Sequence, residues 1–356
     1  MSAANHATPE GTARYRDRFA DRAAKNHFRQ RERLQLSSIG IGTYLGNPDE
    51  ATDARYRDAV VRAVQLGANV IDSAANYRFQ RSERSIGEAL KLLTTEHGFA
   101  RDELLICTKG GYLPFDGAPP RDVRSYVEET FVKPGIASFD DFVGGSHCMT
   151  PAYLQHQLDQ SLKNLGVSTV DVYYIHNPES QLGYVSEKEF YQRLRSAFER
   201  LEQNRGDGKL SYYGVATWNG FRVPPESPEH HSLKRMWELA LEVGDVNHGF
   251  RFIQLPHNLA MPEGIGAGME AERLGVTAIA SASMLQARLA RGLPEQIRER
   301  LGELQTDAQT AIQFVRSTPG ITTALVGMSR VEHVEENLAL VQVEPADERT
   351  FSQLLS

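Results

Sequence analysis

The chain has 356 residues, 40% hydrophobic and 24% charged, with a formal net charge of -7. That length suits one large barrel or sandwich with a sizeable core, and the acidic balance excludes wholesale phosphate-backbone binding, so no nucleic-acid partner is expected. No apolar run approaches the roughly 18 to 20 residues that span a bilayer; the two cysteines, Cys107 and Cys148, cannot build a disulfide framework, and no secretory signal is evident, so a reducing cytoplasm is the expected setting.

Residues 1–33 read as an N-terminal extension. Its basic residues Arg14, Arg16, Arg18, Arg22, Lys25, Arg29, Arg31 and Arg33 are interrupted by Asp17, Asp21 and Glu32. A transit peptide is poor in acids, so a solvated helix or an arm lying on the domain is expected. From residue 34 to 342 compact β-like runs alternate with helical stretches, and 343–356 is left as a C-terminal tail. The first run is LSSIGIGTY (36–44). A helix follows, with Tyr56, Val60, Ala63 and Val64 on one face and Gly67 placed to close it. Next come ANVIDSA (68–74) and ELLICTK (103–109). Residues 111–150 then form an inserted loop with Pro114, Pro119, Pro120 and Pro134 and little periodicity. So long a loop reads as a lid or pocket wall, with decoration as the alternative. Thr150-Pro151 opens a helix carrying Leu154, Leu158, Leu162 and Leu165, and Gly166 stops it. The runs TVDVYYIH (169–176), LSYYGVAT (210–217), FRFIQL (250–255), VTAIAS (276–281) and TTALVG (322–327) complete a set of eight. Strands separated by helices make a parallel sheet, and closing eight of them gives a single-domain α/β fold, a (β/α)8 TIM barrel. An open doubly wound sheet is the rival.

Ionisable groups at strand exits need a reason in a fold whose interior is aliphatic. Asp72 ends the second run, with Tyr77 in the loop behind it; Lys109 ends the third and His176 the fourth. If all eight strands point one way, these four meet at one mouth. A neighbouring ammonium lowers the pKa of a phenol, a carboxylate holds the ammonium, and a neutral imidazole orients a carbonyl oxygen. Such a set protonates an oxygen as a hydride reaches its carbon. Taken singly, a buried ion pair, a loop anchor and a core histidine remain possible readings.

On GIGTY (40–44), NVIDSAANY (69–77), LLICTKGGY (104–112), SLKNLGVSTVDVYYIHNPE (161–179), YYGVATWN (212–219), IQLPHN (253–258) and LVGMSRVEHVEENLAL (325–340), the sequence resembles the aldo-keto reductase family over residues 34–342. The resemblance implies that Tyr77 is the general acid/base, Lys109 its pKa modulator, Asp72 the partner of Lys109 and His176 the orienter of a substrate carbonyl. It also implies an NADP(H) cofactor across the mouth, contacted by Gly42, Thr43, Asp72, Thr217, Gln254, Ser281, Met284, Gly327, Ser329, Arg330, Glu336 and Asn337. Gln254 matches the position bonding the nicotinamide amide, and Glu336 and Asn337 match those holding the adenine. Ser329-x-x-Glu332 has capping-box spacing, and Arg330 is placed to clamp a 2′-phosphate. This chain departs from the family at Ala216-Thr217, where relatives carry Ser-Asn, and at Ser281, where they stack an aromatic ring.

Tyr44, Tyr112 and Trp218 are candidate substrate contacts. His230-His231 lies in a Pro-rich segment and reads as a solvated loop rather than a metal site, His147-Cys148 as a packed loop, and Cys107 as core. No zinc, P-loop or nucleophile-elbow pattern is present. The expected function is an NADP(H)-dependent oxidoreductase interconverting a small aldehyde or ketone and its alcohol. Two alternatives stay open: a cofactor-retaining redox-neutral isomerase or lyase, and a non-catalytic nucleotide-sensing subunit. Oligomeric state is not readable.

Overall fold

A computed structural model describes residues 4–302 and 304–354. Among the described residues, ten strands form two sheets: β1 (Phe28–Arg31), β2 (Leu34–Ser37), β3 (Ile39–Gly42), β4 (Val70–Asp72), β5 (Leu105–Gly110), β6 (Val170–His176), β7 (Leu210–Ala216), β8 (Phe250–Pro256), β9 (Thr277–Ser281) and β10 (Ile321–Gly327). The strands β3 to β10 are parallel and close in chain order, with β10 pairing back onto β3. The fold is a (β/α)8 TIM barrel.

The run at 36–44 does not make one strand. It divides at Ser38 into β2, which pairs antiparallel with β1, and β3, which enters the barrel. The β1–β2 hairpin and the first residues plug the N-terminal end. Ala7 N donates to Asp171 Oδ1 at 2.6 Å, and Asn69 accepts from Ser37 N and donates to Gln35 O. Leu34, Leu36 and Ala7 thereby join Val70, Leu105, Cys107, Val172, Tyr174, Phe252, Ile279 and Leu325 in one buried cluster inside the barrel. Helix α1 (Pro9–Asp17) lies on the domain, with Arg14 paired to Asp102 and Glu103 and Arg18 to Glu103.

Ten further α-helices cover the barrel or extend from it: α2 (Glu50–Gln65), α3 (Arg81–Thr95), α4 (Val123–Val127), α5 (Pro151–Leu165), α6 (Glu187–Gly206), α7 (Leu233–Gly244), α8 (Ile265–Arg273), α9 (Glu295–Leu301), α10 (Asp307–Ser317) and α11 (Val331–Leu338); α12 (Glu348–Leu354) ends the described chain. Tyr56, Val60, Ala63 and Val64 of α2 are buried, and Gly67 follows at φ +110. The start of α5 is N-capped at Thr150 with Pro151 at its first position, and Gly166 ends it in the left-handed region that glycine enters without a Cβ clash. Phe351 of α12 reaches the main core.

The insertion carries its own small core of Leu113, Val127, Phe131, Ala137, Phe142 and Cys148, closed against Tyr153 of α5. The segment is therefore packed, and of its residues Tyr112 lines the cavity described below. No helix among the described residues is long and apolar enough to cross a membrane.

Candidate active site

The parallel register brings all eight strand exits to one rim. Gly42 lies opposite Asp72, His176 opposite Ala216, Ala216 opposite Gln254, and Gly327 opposite Gly42. A cavity of about 500 Å³ opens there, with Tyr44, Tyr77, Tyr112, His176, Trp218, Thr217 and Gln254 on its walls. In a barrel of this type the C-terminal rim is where sites are built.

Lys109 lies beneath this floor, 1% exposed, and donates from Nζ to Asp72 Oδ1 at 2.5 Å and Ser73 O at 2.7 Å. The other carboxylate oxygen, Asp72 Oδ2, accepts from Gln254 Nε2 at 2.8 Å. Lys109 Nζ sits 4.8 Å from the centroid of the Tyr77 ring. The Tyr77 ring in turn meets His176 at 5.8 Å, edge to face. The phenol, ammonium, carboxylate and imidazole do converge.

Tyr77 is delivered by a strained turn. Arg78, Phe79 and Gln80 all have left-handed backbone, with φ of 48°, 58° and 69°, a run that persists only where its surroundings enforce it. Buried Arg78 pairs with Asp53 and donates to Asn47 O, Gln80 Nε2 donates to Phe115 O, and Phe79 O accepts from Gly117 N. The turn is thus tied to α2 on one side and the insertion on the other.

The electrostatics differ from the expectation at Tyr77. Burial raises its pKa, and the pull of Lys109 only partly offsets it; loss of water disfavours the charged phenolate, and here that outweighs the ammonium's attraction. The phenol therefore keeps its proton at neutral pH. Burial also pushes the Asp72 carboxyl up, against Lys109. For Lys109, burial works against the ammonium, but Asp72 and Tyr77 outweigh it. Burial, with Lys109 nearby, holds His176 well below its ordinary pKa and so neutral.

Of the residues expected at a cofactor, Gly42, Thr43, Asp72, Thr217, Gln254, Ser281, Met284 and Gly327 line the cavity. Ser329, Arg330, Glu336 and Asn337 lie outside its lining. The capping box is absent: α11 takes Arg330, not Ser329, as its N-cap, and no side chain caps it. The helix begins one residue later than the spacing implied, which puts Glu332 too early to reach back. Thr217 Oγ1 and Ser283 Oγ are buried on the cavity wall with no hydrogen-bond partner among the described residues. Orphaned polar atoms on such a wall are what an amide- or hydroxyl-bearing ligand would satisfy.

Tyr44 and Trp218 stand at the mouth, 55% and 41% exposed, and Tyr112 closes the insertion side. Trp218 is held from below. Glu179 Oε1 accepts from the backbone N–H of Trp218 at 2.6 Å, Asn219 at 2.9 Å and Gly220 at 3.4 Å. Behind Glu179 sits His231, which is not solvated: it is 2% exposed and stacks on Phe190 at 5.0 Å. The Pro-rich segment folds back over Gly220, where any Cβ would meet the His231 ring at 2.4 Å.

Sequence reasoning also missed Asn76, Asn177, Ser283 and Gln286 on the lining. Asn177 was findable, since an asparagine directly after a strand-end histidine suits the left-handed backbone it adopts, φ 42°. Nothing in the sequence marked the others.

A closed parallel barrel with ionisable side chains gathered at its C-terminal rim places them at the end of a common enzyme fold where sites are built. The aldo/keto reductase family model matches residues 38–223, just over half of the chain. The chain belongs to the aldo/keto reductase family, and that membership supports an oxidoreductase working between carbonyls and alcohols. It is 25% identical over 340 residues to an L-glyceraldehyde 3-phosphate reductase of Escherichia coli (strain K12), covering 86% of this chain and 84% of that one. It is 24% identical over 347 residues to a Schizosaccharomyces pombe protein carrying the name of a voltage-gated potassium channel subunit beta, covering 88% and 87%. Among solved structures, an aldo/keto reductase from Klebsiella pneumoniae in complex with NADP and acetate shares the fold at TM-score 0.64 and 19% identity, covering 93% of this chain and 94% of that one.

Proposed function

We propose that this protein is an NADP(H)-dependent reductase of an aldehyde or ketone, with Tyr77 as the proton donor. The observation that carries the reading is the convergence of Asp72, Lys109, Tyr77 and His176 on one cavity. The cofactor is inferred from the relatives and from the fit of the wall, where Thr217 and Ser283 offer unsatisfied hydroxyls. Thr217, Gln254 and Ser281 would hold the nicotinamide end, with Thr43 and Gly327 beside it. When bound, NADPH supplies a hydride to the carbonyl carbon.

The chain's own residues do the rest. His176 is neutral, and its Nδ1 is buried with no partner among the described residues. Burying a lone pair unpaired costs less than burying an unpaired N–H, which favours the proton on Nε2, the nitrogen facing the cavity. That N–H donates to the carbonyl oxygen and orients it. Tyr77 passes its proton to the same oxygen as negative charge develops, and Lys109, fixed by Asp72 and Ser73, stabilises the phenolate left behind. A neutral cytoplasm suits this balance, and both cysteines are free. Tyr44, Tyr112 and Trp218 would flank the substrate.

Purified protein should consume NADPH with at least one carbonyl from a broad panel. Tyr77→Phe should cost about 10²- to 10⁴-fold in kcat, the usual worth of a positioned general acid, with NADPH affinity kept. Unchanged kcat would overturn the role of Tyr77; tight NADPH binding without turnover of any carbonyl would favour a nucleotide-sensing subunit.

A further inference from the structure

The proposed chemistry leaves unexplained what holds His176 still. Its Nδ1 has no hydrogen-bond partner among the described residues, so no polar contact there fixes the ring. The ring instead abuts Tyr77 and, at 5.1 Å and 84°, Tyr112. Tyr112 is itself clamped. Its hydroxyl bonds Ser180 Oγ at 2.8 Å and accepts from Asn177 Nδ2 at 3.3 Å, while its ring meets His147 at 5.1 Å and 84°. One tyrosine ring thus stands between two imidazoles, one at the strand exit and one brought by the insertion.

His147 is 1% exposed, and its proton can be placed by elimination. Arg193 Nη1 donates to Gln181 Oε1 at 2.7 Å, and arginine only donates, so the oxygen end of Gln181 faces Arg193. The amide nitrogen of Gln181 therefore faces His147 Nδ1, at 2.8 Å, and must donate to it. Nδ1 is then the bare nitrogen and Nε2 carries the hydrogen, which points at the backbone carbonyl oxygen of His176 at 2.7 Å. Burial keeps His147 neutral, with a pKa of about 4, so this single tautomer holds across the physiological range. The contact needs Gly111, at φ +135: a Cβ there would lie 2.9 Å from His147 Nε2 and 3.2 Å from the His176 oxygen, in the hydrogen bond itself. Backbone bonds from Cys148 N to Gly111 O and from Leu113 N to Ser146 O lock the two segments together.

We infer that His147 is a positioning residue: by donating to the His176 carbonyl and backing Tyr112, it fixes the imidazole that orients the substrate, and this is the task of the insertion. The inference rests on the function proposed above. Two variants separate hydrogen bond from shape. His147→Phe keeps a ring against Tyr112 but removes the donor; His147→Gln places an amide N–H near the position of Nε2. Steady-state kinetics should show kcat at least tenfold lower in H147F, NADPH affinity within twofold of wild type, and recovery of at least a third of kcat in H147Q. Ring ¹⁵N spectra of histidine-labelled protein should show the Nε2–H tautomer for His147 in the wild type. They should also show a shifted His176 ring in H147F and a native-like one in H147Q. Wild-type kcat in H147F, or an Nδ1–H tautomer at His147, would overturn the inference, and the tautomer decides it even if H147F does not fold. Absence of any turnover by the wild type would defeat the proposed function instead, while the His176 ring shifts would still test the positioning role.

Discussion

Lys109→Met is the substitution whose consequences the structure specifies most fully. Methionine fills the channel of the lysine stem but donates nothing. Asp72, 4% exposed, then keeps only Gln254 as a partner, and the buried Ser73 carbonyl loses its donor. Breaking a buried ion pair by removing one member typically costs about 3–5 kcal/mol, a large part of a total stability of about 5–15 kcal/mol. The loss should depend on pH in a definite direction. Without the ammonium, burial is opposed only by Gln254, so the folded-state pKa of Asp72 rises further above its unfolded value. A carboxyl with a raised folded pKa binds more protons folded than unfolded, so its contribution falls as pH rises. Urea unfolding of wild type and variant at pH 5.5 and pH 8 should give a gap that is wider at pH 8. Comparing the two proteins at each pH cancels the titrations that Lys109 does not touch. Adding Asp72→Asn should recover part of the loss in a double-mutant cycle. A gap below about 1 kcal/mol, or one independent of pH, would refute a tightly coupled buried pair.

Two predictions concern stability and cofactor. His27 and His147 are buried and neutral, with pKa values near 3 and 4 against about 6.5 unfolded; their contribution is full above 6.5 and is lost as pH falls toward the folded values. Each should cost about 2 kcal/mol between pH 7 and pH 5, so the stability lost between those two pH values in urea titrations should be about 2 kcal/mol smaller in His27→Phe or in His147→Phe than in the wild type, and an equal loss would contradict their burial as neutral groups. Ser281→Tyr should restore a ring at the cavity wall and tighten NADPH binding about fivefold, the equivalent of ~1 kcal/mol of stacking, read by fluorescence titration; unchanged or weaker binding would show that the nicotinamide does not lie over residue 281.

The barrel was legible because parallel strands buried on both faces read as continuous apolar runs. TVDVYYIH and LSYYGVAT became β6 and β7 almost as written. The division of 36–44 was not legible, because Ser37-Ser38 carries no turn signal and the pairing partner of β2, Phe-Arg-Gln-Arg, looks like a solvated arm. At the site, Asp72, Lys109 and His176 stood out because charge at a strand exit is costly without a purpose. The pKa direction of Tyr77 could not be read, since it depends on how much burial offsets Lys109, a three-dimensional quantity. The fate of His147 and His231 was hidden for the same reason: both lie in proline-rich or aperiodic segments whose sequences resemble exposed loops, yet each packs its ring against a residue distant in the chain, Tyr112 and His176 for the first, Phe190 and Glu179 for the second.

The proposed chemistry requires one oxygen atom to be held by two side chains at the barrel mouth. A crystal structure of the wild-type protein with NADP and a product alcohol measures this directly. The alcohol oxygen should lie within about 2.6–3.2 Å of both the Tyr77 hydroxyl and His176 Nε2, with the Lys109–Asp72 pair intact beneath. An alcohol oxygen bound away from Tyr77, or a His176 ring turned from the cavity, would contradict it.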